Sequence, residues 1–234
     1  MSTFADRVIL FNNSLPEITG LPEHFAVMNP FKDNPEISRV TGAFYHRFYH
    51  DNKPRTLMLG INPGRFGAGT TGIPFTDTRH LNHQCGIRMD SVSTHEPSSV
   101  FIYDMIAAYG GVAKFFGRFF LNSVLPLGLV RVKPDGKKVN FNYYDDKSVL
   151  ASLLPTVDLN LTRLLELGCD TSVCFCIGSG KNFSFLSRLN TESKYFKKVI
   201  PLEHPRFVMQ YRLKLKSSYI KDYLAKLGNR IEVL

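Results

Sequence analysis

The chain has 234 residues, is 44% hydrophobic and carries a formal net charge of +9. That length and apolar content support one substantial core, read as a single domain over residues 1–234. No stretch stays apolar for the roughly eighteen residues of a membrane span, which excludes a helical membrane protein.

The N-terminus, "MSTFADRVILFNNS", has no basic segment leading into an apolar block. It reads as an amphipathic helix rather than a secretion signal. "TLMLGI" (56–61) is a short apolar run stopped by Asn62 and Pro63, the pattern of a buried strand. "EPSSVFIYDMIAAYGG" has Ser98 or Ser99 as cap, apolar residues at helical spacing and a glycine pair as stop, and predicts a helix. The apolar run 119–132, "FFLNSVLPLGLVRV", is broken at Asn122 and Pro126, and "KPDGKK" is a turn into "VNFNYY". "DDKSVLASLLPTVDLNLTRLLELG" predicts a helix broken near Pro155 and ended by Gly168. "TSVCFCIG" (171–178) is a second buried strand, with "SGKNFSFLSRLN" as the helix after it. "KKVIPLEHP" is a third strand ending at Glu203–His204, and "FVMQYRLKLKSSYIKDYLAKLG" closes the chain as one basic amphipathic helix.

Strands that alternate with helices predict a three-layer α/β/α sandwich around a largely parallel sheet. Ligands of such sheets bind beyond the carboxyl ends of the strands. Polar breaks fall there at Asn62, Gly178–Lys181 and His204, with Asn122 as a fourth, so one cleft is expected to collect them. No Asp, Glu or Cys is expected at the strand ends for nucleophilic or metal chemistry. Cys174 and Cys176 alternate with apolar residues and read as small hydrophobes in a buried strand. No paired C-x-x-C knuckle is present for zinc or an iron–sulfur cluster. With Cys85 and Cys169 the thiols are expected to be reduced, which suits the cytoplasm. From Lys181 to Leu234 there are 12 Lys and Arg against 4 Asp and Glu. That surplus fits a polyanion such as nucleic acid, and equally a solvated basic helix face.

Gly67, Gly69 and Gly72 spell G-x-G-x-x-G, but they lie well past the strand end at Gly60, and "IPFTDT" follows instead of a helix. No dinucleotide site is read there. "GSGKN" (178–182) has Phe175 and Asn182 where an NTP-binding loop needs Gly and Ser or Thr. Its amides beside Lys181 suit a phosphate diester, or form a plain strand-to-helix turn. Asn62, between a strand and Pro63, is held at the sheet edge. Gly64 admits a close approach, and Phe75 either stacks on a flat ligand or joins the core.

"GINPGRFGAGTTGIPF" (60–75) resembles the first motif of the uracil-DNA glycosylase superfamily. It is most similar to the single-strand-selective monofunctional group, whose pattern is roughly G-M-N-P-G-P-F-G followed by T-G-V-P-F-G. "VMNPF" (27–31), "FFLNSVLPLG" (119–128) and "LEHPRF" (202–207) resemble three further family segments in order. The resemblance therefore spans residues 25–212. The mismatch-type uracil/thymine glycosylases share G-I-N-P-G but begin their second motif Asn-Pro, where this chain has His204-Pro205. Two departures stand out. "HPRF" replaces H-P-S-P in the DNA-wedging segment, and Ala68 stands where methionine is common.

The resemblance implies a four-stranded central sheet and removal of uracil from DNA by hydrolysis of the N-glycosidic bond. It implies a monomer without metal or cofactor, working in the bacterial cytoplasm or nucleoid on single- or double-stranded DNA. Asn62 would position water, and His204 would hydrogen-bond O2 of the departing uracil anion. Phe75 would stack on the flipped base and Asn122 would read its N3–H and O4. Ile61 and Gly64 would line the base pocket, with Gly64 leaving room near C5 for oxidised bases such as 5-hydroxymethyluracil. Ser179, Lys181, Arg206 and Arg212 would contact the DNA backbone, and Arg206 or Phe207 would fill the gap left by the base. An amide at position 62 is no general base, so a slower enzyme than relatives with Asp there is expected, with leaving-group stabilisation supplying most of the rate. The reading from another class is a non-catalytic binder of damaged or single-stranded DNA.

Overall fold

The structure, a computed structural model, describes residues 2–228. Helix α1 (Phe4–Asn13) starts on a capping box in which Thr3 and Asp6 satisfy each other's backbone amides. Then come β1 (Phe25–Met28), the short α2 (Pro30–Asp33), α3 (Glu36–Tyr49) and β2 (Thr56–Gly60). The short α4 (Ala68–Thr71) and α5 (Thr78–His83) lead to α6 (Pro97–Tyr109) and α7 (Val112–Phe116). Strands β3 (Phe119–Ser123), β4 (Gly128–Val132) and β5 (Lys138–Phe141) precede the long α8 (Lys147–Glu166). The order ends with β6 (Asp170–Ile177), α9 (Lys181–Ser193), β7 (Val199–Leu202), α10 (Pro205–Tyr211) and α11 (Lys216–Gly228).

Four strands form a sheet in the order β3-β2-β6-β7, and every neighbouring pair is parallel. All residues of β2 and β3 are buried, as strands covered on both faces must be. The expected α/β sandwich is present and its sheet is wholly parallel. A second, antiparallel sheet, β1-β4-β5, was not foreseen. On one side of the parallel sheet, Phe4, Phe44, Tyr49, Phe116 and Phe120 pack ring against ring. Arg55 is wholly buried among them. It is retained there because Asp51 pairs with it at 2.6 Å and its guanidinium covers the rings of Phe4 and Tyr49. All four cysteines are free and buried.

Four local expectations are corrected. Helix α8 runs through Pro155 without a break. The lost hydrogen bond is offset by a continuous buried stripe of Val149, Leu153, Val157, Leu161 and Leu164. Helix α6 begins earlier than Ser98 or Ser99: Pro97 takes the first helical position and Glu96 is the cap. The basic C-terminal segment is two helices, separated at Arg212 by a 3-10 turn, Leu213–Leu215. Both halves pack on α6, so the chain must turn between them. Lys216 fastens the second half to Asp104 of α6 at 2.7 Å. Asn122 does not break its apolar run but lies inside β3.

Candidate active site

A cavity of about 490 Å³ opens at the carboxyl ends of the parallel strands. Ile61, Asn62 and Gly64 reach it from the turn after β2, and Phe75 from further along that loop. Ser179 and Lys181 reach it from the turn after β6, and His204, Arg206 and Phe207 from the end of β7. Two predicted residues lie elsewhere. Arg212 is exposed at the end of α10 with its guanidinium 5.5 Å from the Phe207 ring. Asn122 lines a separate small space of about 20 Å³, which shares Pro63, Ala68 and Pro74 as walls with the large cavity. That is room for about one water.

The orientation of Asn122, which the sequence left open, has a structural cause. The Ser123 N–H donates to its Oδ1 at 2.8 Å, so the oxygen is fixed and Nδ2 is left as a donor. Asn160 of α8 holds the strand end by donating to the carbonyls of Ser123 and Val124, at 3.2 and 3.0 Å.

Asn62 is clamped. Its Nδ2 donates to the Phe141 carbonyl at 3.0 Å and its Oδ1 accepts from the Tyr143 N–H at 3.2 Å. The side chain thereby joins the parallel sheet to the end of β5. One amide hydrogen and one oxygen lone pair remain for a ligand.

Phe75 is one of two non-glycine residues described with positive φ, at 54°. Such strain persists only where surroundings over-determine it. Here Thr71, Thr76 and Asp77, all fully buried, fasten the backbone on either side. Thr71 Oγ1 donates to the Thr76 carbonyl at 2.6 Å, and Thr76 Oγ1 meets the Tyr103 hydroxyl at 3.0 Å. The ring lies 6.4 Å from that of His204 and presses on the backbone of Gly60, where a Cβ would come within 2.8 Å of Cζ. Gly60→Ala is expected to swing the half-buried ring with little loss of thermal stability. Losing one base–aromatic stack costs about 1–3 kcal/mol, so affinity for a flipped base should fall roughly 5- to 100-fold. Titration of the variant with a uracil oligonucleotide, beside a melting curve, checks this.

His204 caps α10, and its Nδ1 accepts from the Arg206 N–H at 3.1 Å. That bond assigns the ring proton to Nε2. Burial, with a smaller push from the Arg206 charge, lowers the imidazole to about 4, so it is neutral at ordinary pH.

The expectation of a site without carboxylates is corrected: Glu96 and Glu203 both line the cavity. Glu203 accepts from the Ser179 hydroxyl at 2.9 Å and from the His204 N–H at 3.1 Å, tying the two turns together. Glu96, half-buried at the start of α6, fills the space over Gly64 that was expected to be open. Its approach to Gly64 is a tertiary contact. "EPSS" still carried a usable signal, because Pro97 at the first helical position puts Glu96 at the cap. Lys181 is exposed, 3.9 Å from Asp145. Helix α9 begins without a side-chain cap, which leaves its first amides facing the rim. No group of His, Cys, Asp or Glu among the described residues is arranged as a metal site. No described helix is long and apolar enough to cross a membrane.

Residues 46–228 match the uracil DNA glycosylase superfamily, and the chain belongs to that superfamily. It is a DNA glycosylase. Among solved structures it is similar to "The crystal structure of WT Pedobacter heparinus SMUG2", with 45% sequence identity and a TM-score of 0.96. The match covers 99% of this chain and 100% of that one. No protein of curated function matches the chain. The family match starts later than the motif-level resemblance and continues past Arg212 to the end of α11.

Proposed function

We propose that the chain extrudes uracil from DNA and hydrolyses its N-glycosidic bond without cutting the strand, as a monomer in the cytoplasm and without metal or cofactor. One observation carries this reading. Asn62, Phe75 and a neutral His204 with its proton on Nε2 share one cavity. The base stacks on Phe75. Asn122, oriented by Ser123, donates from Nδ2 to O4 and accepts N3–H on Oδ1 once the entering base displaces the wall of Pro63, Ala68 and Pro74 that separates its small space from the cavity. As the bond breaks, negative charge collects on O2 of the base, and the Nε2–H of His204 stabilises charge that exists only near the transition state. Asn62 holds the attacking water with the donor and acceptor sites its clamp leaves free.

The DNA backbone runs along the cavity rim. The uncapped amides of α9 with Lys181 suit one phosphate, and Arg212 suits another. Phe207 is half-buried against Tyr211 and Arg212, which favours exposed Arg206 over Phe207 as the group that enters the gap in the duplex.

Incubation with a uracil-containing oligonucleotide, followed by alkali, tests the reading. Breaks at uracil are the expected result, and binding without breaks would make the chain a reader of DNA instead. Asn62→Ala should slow the breaks by about 100-fold, because a misplaced water loses most of the benefit of orientation. Turnover at the wild-type rate in that variant would remove Asn62 from the mechanism.

A further inference from the structure

The roles above leave one group in the cavity unused, the Glu96 carboxylate. It reaches the site because the loop after β2 has no side chains in its path. A Cβ at Gly64 would lie 2.9 Å from its Oε1, and one at Gly67 would lie 2.1 Å from its Oε2. Gly64 is two residues beyond Asn62, so their Cα atoms are at most about 7 Å apart. Carboxylate and amide therefore face one cavity across a single short piece of backbone.

A scaffolding carboxylate in the same chain has a different environment. Glu36 accepts from the amides of Asp90 and Ser91 and pairs with Arg39, which together hold it at about 2. Among the described residues, no backbone amide donates to the oxygens of Glu96; Ser99 of its own helix offers a hydroxyl. Asp77, fully buried before α5, sets a like charge against it. That carboxylate is fixed there by the Glu96 N–H at 2.7 Å, the His80 N–H at 2.9 Å and the His80 ring at 2.6 Å. His95 Nδ1 lies 3.5 Å from the same oxygen that accepts from Glu96. From α10, Arg206 draws the other way. From β5, Asn140 brings an uncharged amide, and Arg65 of the glycine loop lies over the Phe66 ring.

We infer that Glu96 is the proton acceptor for the hydrolytic water, a task the amide of Asn62 cannot perform; this rests on the uracil reading above. The water oxygen bonds to C1′ as the C1′–N1 bond breaks. Its proton passes to a Glu96 oxygen, and the electron pair of the broken bond leaves with the base, whose O2 faces His204. The proton on Glu96 then returns to solvent or to the released base. Burial and Asp77 push the carboxyl up to about 7, against Arg206 and Ser99. The acceptor form is therefore present above neutrality and lost as the pH falls.

The test is single-turnover cleavage of a uracil oligonucleotide across the neutral pH range by the wild type, Glu96→Gln and Glu96→Asp, with DNA affinity measured alongside. The wild-type rate should fall about tenfold per pH unit below neutrality. Glu96→Gln should be slower by on the order of 100-fold at mildly alkaline pH and lose that slope, with DNA affinity unchanged. Glu96→Asp should keep the slope at a reduced rate. A Glu96→Gln variant with the wild-type rate, or a slow one that keeps the wild-type slope, overturns the assignment. A wild type inert on uracil DNA overturns the uracil reading itself, and this inference with it.

Discussion

Replacement of His204 by alanine is expected to lower kcat on uracil DNA by about 10²–10³-fold while leaving KM nearly unchanged. The split follows from timing. In the bound substrate, O2 of uracil is a neutral carbonyl oxygen, and the Nε2–H contributes modestly. In the transition state that oxygen carries much of a negative charge, and the same bond becomes charge-assisted. Since the imidazole is held at about 4, it stays neutral across the assay range and the deficit should not vary with pH there. Single-turnover rates at several pH values check both statements; a wild-type kcat in the variant would exclude the role. His204 also caps α10, so a melting curve separates the cap's contribution of about 1 kcal/mol from the catalytic loss.

Asn122→Leu should reduce kcat/KM for uracil by about 10²–10⁴-fold. The leucine keeps the volume but leaves N3–H and O4 of a buried base without partners, at about 1–3 kcal/mol each. The effect should fall mainly on uracil, and background activity on cytosine should change little. Under the proposed reading, rejection of cytosine follows from the Ser123 N–H, which fixes the oxygen end of the amide. Excision assays on paired uracil and cytosine oligonucleotides read this directly. Undiminished preference for uracil in the variant would place base recognition elsewhere.

The parallel sheet was legible because the apolar runs of β2, β6 and β7 stop at polar residues, and those stops at Asn62, Ser179 and His204 are the ones that meet in the cavity. The antiparallel sheet was not. Its strands are four or five residues long, and Lys138, Val139 and Asn140 of β5 are all exposed, so no alternation marks them. Pro155 misled because local propensity was outweighed by a buried helix face. Phe75 and Asn122 were identified by resemblance, since neither spacing nor composition separates them from core residues. Glu96 was missed because its relation to the site is a close approach between distant segments: "EPSS" marks it as a helix cap, but the two loop glycines it fills read in the sequence as room for a base.

The clamp on Asn62 bears on the history of the site. Aspartate at this position would give the stronger base, and it is one nucleotide change away from asparagine. In this architecture it would still accept the Tyr143 amide, but it would set an oxygen against the Phe141 carbonyl in place of a hydrogen. It would also add a negative charge near Glu96. Aspartate at 62 is therefore expected to weaken this sheet junction. A carboxylate supplied from another element, the role proposed for Glu96, leaves that junction intact.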